Sequence, residues 1–172
     1  MFLSVKELEL HKISFDKLFE PGQIGFAGED LELGSPLHVT GVAELLDDSG
    51  GQLRVRGKYT AEILAQCHRC LVRVRYPLAT EFDLFYQPAS DAPEEEEVKI
   101  GAGEADIGFY EDGLELGDIL QEQILLALPM QRVCSETCKG ICPVCGKNRN
   151  ESSCDCKPVA DNRWNALRNL NI

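Results

Sequence analysis

Eight cysteines, set as four close pairs, constrain this 172-residue chain more than any other feature. The pairs are Cys67/Cys70, Cys134/Cys138, Cys142/Cys145 and Cys154/Cys156, and six of the eight cysteines lie within residues 134–156, where large apolar residues are scarce. Such a segment lacks the side chains for a core of its own, so cross-links must supply its cohesion. Closed tetrahedral zinc sites are commonly built from two close thiolate pairs, each on a tight turn whose backbone NH groups also hydrogen-bond the sulfurs. Eight ligands fill two sites with none left over. Gly146, directly after Cys145, permits the unusual backbone angle that a zinc knuckle often needs.

Disulfides are the competing use of paired cysteines, and the redox compartment decides between the two. Charges interrupt the N-terminal run Met1-Phe2-Leu3-Ser4-Val5-Lys6-Glu7-Leu8-Glu9 before a signal-peptide core can form. No later stretch approaches the ~18 apolar residues of a membrane helix. The expectation is a cytoplasmic protein with reduced thiols and no membrane partner. A net charge of −12 also opposes indiscriminate coating of nucleic acid.

Cys142/Cys145 and Cys154/Cys156 are separated by the eight-residue loop 146–153, so one metal joining them closes a small ring at little entropic cost. That leaves Cys67/Cys70 for Cys134/Cys138. A ribbon of Cys67/Cys70 with Cys142/Cys145 is a second arrangement the spacing allows, and four thiolates also suit an iron–sulfur cluster. Reactive Cys-x-x-Cys pairs generally use a helix N-terminus, whereas Cys67/Cys70 is predicted at a hairpin tip, which disfavours a redox role. The histidines are His11, His38 and His68. His68 reads either as an outer hydrogen-bond partner of the metal ligands or as an exposed turn residue. No open metal site, nucleophilic triad, phosphate loop or paired-carboxylate motif stands out, so no enzyme is expected.

Residues 36–86 alternate apolar and polar in short runs, the signature of antiparallel strands. Strands are predicted at 37–46, 52–66 and 71–86, joined by the turn Asp47-Asp48-Ser49-Gly50-Gly51 and by Cys67-His68-Arg69-Cys70. Pro77 marks an edge or a bulge. The acidic, proline-containing segment 87–97 reads as a solvated loop. Leu116, Ile119, Leu120, Ile124 and Ala127 recur at helical spacing over 116–128, with Asp118 and Gln121 suggesting a capping box and Pro129 a stop. A short last helix from Asp161 would carry Trp164, Leu167 and Leu170 on one stripe. The resulting expectation is an α+β, mainly antiparallel β fold. A β-meander domain with one long packing helix spans 1–130, and a zinc-binding module with a short helix spans 131–172, stapled to the first domain through Cys67/Cys70.

Residues 54–75 reverse the charge balance, carrying Arg54, Arg56, Lys58, Arg69, Arg73 and Arg75 against Glu62 alone. Alternation puts Arg54, Arg56 and Lys58 on one strand face and Arg73 and Arg75 on one face of the next, so the two rows are expected side by side. These six are the candidate RNA-contacting residues. Beyond Gln131, Arg132, Lys139, Lys147, Arg149, Lys157, Arg163 and Arg168 outnumber Glu136, Glu151, Asp155 and Asp161. Each tetrathiolate zinc carries a charge of about −2, which such cations also serve to neutralise.

Four elements in order carry a family likeness: Cys67-His68-Arg69-Cys70-Leu71, then Leu126-Ala127-Leu128-Pro129-Met130, then Cys134-Ser135-Glu136-Thr137-Cys138-Lys139-Gly140-Ile141-Cys142-Pro143-Val144-Cys145-Gly146-Lys147-Asn148, and finally Cys154-Asp155-Cys156. The chain resembles the YceD family, the large ribosomal RNA subunit accumulation proteins. The resemblance implies a bacterial ribosome-biogenesis factor that supports synthesis, processing or stability of 23S rRNA without a known catalytic activity. Its partner would be 23S rRNA or a large-subunit assembly intermediate; the alternative is a zinc-stapled adaptor that binds ribosomal or assembly proteins without touching RNA. Two departures from the family pattern are visible. Met130-Gln131-Arg132-Val133 lacks a second proline before the cysteine, and Asp161-Asn162-Arg163 stands where the family usually has Asp-Pro-Arg.

Overall fold

A computed structural model describes residues 1–26, 30–46, 50–91 and 107–157. The chain divides into two compact units, Met1–Ala65 with Arg75–Met130, and Gln66–Val74 with Gln131–Ile172.

The first unit is built on the strand β5, Leu53–Gln66. Its even-spaced apolar residues Leu53, Val55, Tyr59, Ala61, Ile63 and Ala65 are buried, and Arg54, Arg56, Lys58, Thr60 and Glu62 alternate with them on the other face. Before it in sequence come β1 (Phe2–Ser4), α1 (Val5–Leu8), β2 (Ile13–Phe19), β3 (Leu31–Leu33) and β4 (Leu37–Leu45); after it come β6 (Arg73–Pro88), β7 (Ile107–Tyr110), β8 (Gly113–Glu115) and α2 (Leu116–Ala127). The main sheet has the order β2-β4-β5-β6-β7. One edge of β5 serves two antiparallel partners in turn, β4 over residues 53–60 and β3 over residues 63–65.

The meander predicted from alternation is thus present as β4-β5-β6 at the centre of a larger, mixed sheet. β7 pairs parallel with β6, Phe85 to Pro88 opposite Ile107 to Tyr110. This extends β6 through Gln87 and Pro88, where a loop was expected, because the parallel partner supplies hydrogen bonds that local sequence does not announce. Ala89–Asp91 then forms a short 3-10 turn. Pro77 lies in the part of β6 that β7 does not reach, where a missing N–H is tolerated. The start of β6 moves from the expected Leu71 to Arg73, since Leu71 adopts φ 64°.

Gly41 and Gly57 face one another across β4 and β5 on the buried side. The ring of Phe15 covers the first and that of Phe82 the second, close enough that a Cβ on Gly41 would stand 2.5 Å from Phe15 and one on Gly57 2.9 Å from Phe82. Aromatic rings here fill the space that two absent side chains leave.

Helix α2 buries Leu116, Ile119, Leu120 and Ile124, and the Tyr59 hydroxyl donates to the Gln123 carbonyl at 3.0 Å. No capping box forms. The N-cap is Glu115, without a side-chain cap bond, because β8 runs straight into the helix. The antiparallel β1–β8 pair brings the chain start alongside, and the Met1 carbonyl accepts the Leu116 N–H at 2.9 Å. Among the described residues no helix is long and apolar enough to cross a membrane. Residues 47–49 of the expected turn, the stretch 92–97 of the expected loop and the expected helix from Asp161 lie outside the described residues.

Candidate metal centres and the arginine-bearing sheet face

All eight cysteines belong to the second unit, and their sulfurs gather into two groups of four. One is Cys67, Cys70, Cys134 and Cys138; the other is Cys142, Cys145, Cys154 and Cys156; within each, the sulfurs lie within 4.8 Å of one another. The alternative ribbon of Cys67/Cys70 with Cys142/Cys145 is not the grouping found.

Two turns of the same design present the first pair of each group. In one, the Leu71 N–H donates to the Cys67 carbonyl at 2.9 Å and the Cys67 N–H to the Val72 carbonyl at 2.8 Å. In the other, the Gly146 N–H donates to the Cys142 carbonyl at 2.9 Å and the Cys142 N–H to the Lys147 carbonyl at 2.8 Å. The residue after each second cysteine is left-handed, with φ 64° at Leu71 and φ 72° at Gly146. Backbone donors also reach sulfur, with Arg69 N–H 3.4 Å and Cys134 N–H 3.3 Å from Cys67 Sγ.

A tetrahedral metal with bonds of about 2.3 Å spaces its sulfurs about 3.8 Å apart. Cys67 and Cys138 sulfurs are 3.9 Å apart and those of Cys70 and Cys134 3.5 Å. A disulfide bond is about 2.05 Å long, and all eight thiols are free. The donor sets therefore fit metal ions, and each group could hold one.

Proton affinities within each group agree with that fit. Burial pushes the Cys67 thiol up, but N–H groups of Cys70, Arg69 and Cys134 outweigh it and bring it to about 6. The Val72 N–H pulls Cys70 down, yet burial and its three thiol neighbours drive it up to about 12. In the second group, N–H groups of Cys145 and Val144 lower Cys142 to about 6, while the adjacent Cys145 thiol and then burial raise Cys156 to about 12. Four crowded thiolates repel one another, and a central dication favours the ionised form of all four. Cys138 is lowered chiefly by the side-chain amide of Asn150. The groups differ in access: Cys67, Cys70 and Cys138 are buried, whereas Cys145 and Cys156 of the other group are exposed.

His68 is exposed and serves neither group through a described sulfur contact. Its N–H donates to the Arg132 carbonyl at 2.8 Å, and Arg132 Nε donates to its ring at 3.0 Å. Arg69 reaches the carbonyls of Glu136 and Cys138 at 3.4 and 3.3 Å, fastening the knuckle to the segment that carries the second cysteine pair.

On the sheet, Arg54 binds Asp83 through Nε at 2.8 Å and Nη2 at 2.5 Å, with its guanidinium 5.5 Å from the Phe85 ring centroid. Arg75 donates to Glu62 at 2.6 Å. Arg56 lies 3.9 Å from Glu44, a buried carboxylate that Lys12 also binds. The arginine rows, expected side by side, are displaced along the hairpin, so that each faces acids: Arg54 stands by Asp83 and Arg75 by Glu62. Lys58 lines a trough of about 600 Å³ with His38, Thr40, Thr60 and Glu81. Arg73 is exposed.

Comparison with known proteins places these features in context. The profile described as large ribosomal RNA subunit accumulation protein YceD matches residues 55–171. A Bacillus subtilis protein, YlbN, is 30% identical over 168 residues, covering 95% of this chain and 91% of its own length. A maize protein, large ribosomal RNA subunit accumulation protein YCED homolog 1, chloroplastic, is 28% identical over 132 residues, 63% of this chain and 45% of the maize chain. A Mycobacterium tuberculosis H37Rv protein is 29% identical over 141 residues, 80% of this chain and 61% of its own. No solved structure matches.

Proposed function

We propose, from the premise that the chain belongs to the YceD family of large ribosomal RNA subunit accumulation proteins, that it is a non-catalytic factor supporting synthesis, processing or stability of 23S rRNA in the cytoplasm. Two zinc ions stabilise it, one held by Cys67, Cys70, Cys134 and Cys138 and one by Cys142, Cys145, Cys154 and Cys156. The observation that carries this reading is the pair of four-sulfur groups. Four protein ligands per metal leave no coordination position for a substrate, so zinc here cross-links the chain rather than activating water. Residues 1–130 form the main domain and 131–172 the zinc module, with Cys67/Cys70 contributed to the module's first metal.

Contact with rRNA is assigned to the hairpin cations. Arg56 and Arg75, with side chains 52% and 67% exposed, supply the phosphate contacts together with Lys58 and Arg73. Arg54, gripped by Asp83, and Arg69, tied to two carbonyls, hold the surface around them in shape. Crosslinking in cells, followed by sequencing of bound RNA and identification of bound proteins, tests the assignment. Crosslinks to 23S rRNA precursors at these residues are expected.

A second reading is favoured by the acids on the same face. Asp16, Glu44, Glu62, Glu81 and Asp83 lie among the cations, and such a mosaic also suits basic ribosomal proteins. Crosslinks to ribosomal proteins without rRNA would select this adaptor reading.

A further inference from the structure

Asn150 sits in the loop that joins Cys145 to Cys154, yet it serves the other group of cysteines. Its Nδ2 lies 3.3 Å from Cys138 Sγ and 2.9 Å from Asn148 Oδ1, and its Oδ1 accepts the Lys139 N–H at 2.8 Å. The Asn150 N–H donates to the same Asn148 oxygen at 3.0 Å, and Asn148 Nδ2 donates to Glu151 at 2.8 Å. Both amide protons and the amide oxygen of Asn150 therefore have partners. The orientation follows from the network: a flipped amide would set its oxygen against a thiolate and its NH2 against the Lys139 N–H. The backbone holds the loop in the same register, with Ile141 bridged to Asn148 and the Arg149 N–H bonded to the Gly140 carbonyl at 2.9 Å.

We propose that Asn150 is a positioning residue for the metal of Cys67, Cys70, Cys134 and Cys138, donating to the Cys138 thiolate from the loop that the other metal closes. The proposal rests on the metal reading above. An N–H donor on a ligating sulfur holds it in its ionised form and fixes its direction, and removing such partners typically weakens metal affinity about 10–100-fold. Through this bond the loop between Cys145 and Cys154 supports the other, more buried group.

Cadmium-substituted full-length protein tests this, because each cluster gives its own cadmium resonance and Cys145→Ser identifies that of the second group. Asn150→Ala should shift the first group's resonance and lower its metal affinity about 10–100-fold in chelator competition, leaving the second group's affinity unchanged. Asn150→Asp keeps an acceptor for the Lys139 N–H but has no N–H for sulfur, so it should fail to restore either signal. Wild-type affinity in Asn150→Ala, or rescue by Asn150→Asp, overturns the proposal. A wild-type chain that takes up no cadmium defeats the metal reading itself, a distinct outcome that removes the proposal with it.

Discussion

Leu71 and Gly146 occupy the same place in two turns of one design, each left-handed, each donating its N–H to the first cysteine of its pair at 2.9 Å. Glycine adopts this conformation freely; leucine does not. The left-handed leucine costs about 1–2 kcal/mol, and a glycine there would give back about 0.5–1 kcal/mol in unfolded-chain freedom. Leu71 is 56% exposed, so little packing is lost with its side chain. Leu71→Gly should stabilise the metal-loaded protein by about 0.5–1 kcal/mol, read as a raised urea midpoint at unchanged slope. A lower midpoint would mean that the leucine side chain contributes more than its strain costs.

The opposed glycines of the sheet make a contrary case. A Cβ on Gly57 would stand 2.6 Å from the Thr40 carbonyl oxygen, a backbone atom that cannot swing aside. Gly57→Ala should therefore destabilise the protein by about 1–3 kcal/mol, measured by the same unfolding experiment. A neutral substitution would show that β4 and β5 separate at little cost.

Metal retention should depend on pH with a definite sign. The metal-free groups bind more protons than the loaded ones, since Cys70 and Cys156 are pushed up to about 12 and must lose their protons to ligate. Near pH 8, where Cys67 and Cys142, at about 6, are already ionised, uptake should release at least one proton per group. Affinity should fall as pH falls, and more steeply below about 6, where Cys67 and Cys142 also take up protons. Titration in weakly buffered solution counts the protons; uptake with no release contradicts the assignment of these thiols as ligands.

The hairpin pairs allow the two partner classes to be separated by one charge. Asp83→Asn loosens the two-point hold on the Arg54 guanidinium and removes a negative charge from the sheet face. Binding to a 23S rRNA fragment should strengthen and become more salt-dependent, while stability changes by about 1 kcal/mol or less, as for exposed ion pairs generally. Weaker capture of basic ribosomal proteins, with rRNA affinity unchanged, would point to the adaptor.

How much of this could be read from the chain depended on how local the signal was. Strict alternation in residues 53–66 and helical spacing in 116–127 are local, and both elements lie where those patterns fall. Cysteine spacing, with Gly146 as punctuation, foreshadowed the grouping of sulfurs. Leu71 was illegible because leucine carries no mark of a left-handed angle. Strands β1, β3 and β8, of three residues each, are too short for a period, and β7 is set by a parallel partner. The acids beside the basic run of 54–75 were illegible, because Glu44 and Asp83 lie outside that window and reach it only across strands. Asn150 gave no signal, since Asn-Arg-Asn in a loop reads as turn chemistry.

Native mass spectrometry of the full chain, purified without added metal, tests the two tetrathiolate centres most directly. The expected mass exceeds that of the metal-free chain by two zinc ions, one for each four-sulfur group, and strong chelation should remove the more exposed ion first. A folded chain carrying no metal, or one whose mass shows the cysteines joined as disulfides, would contradict it.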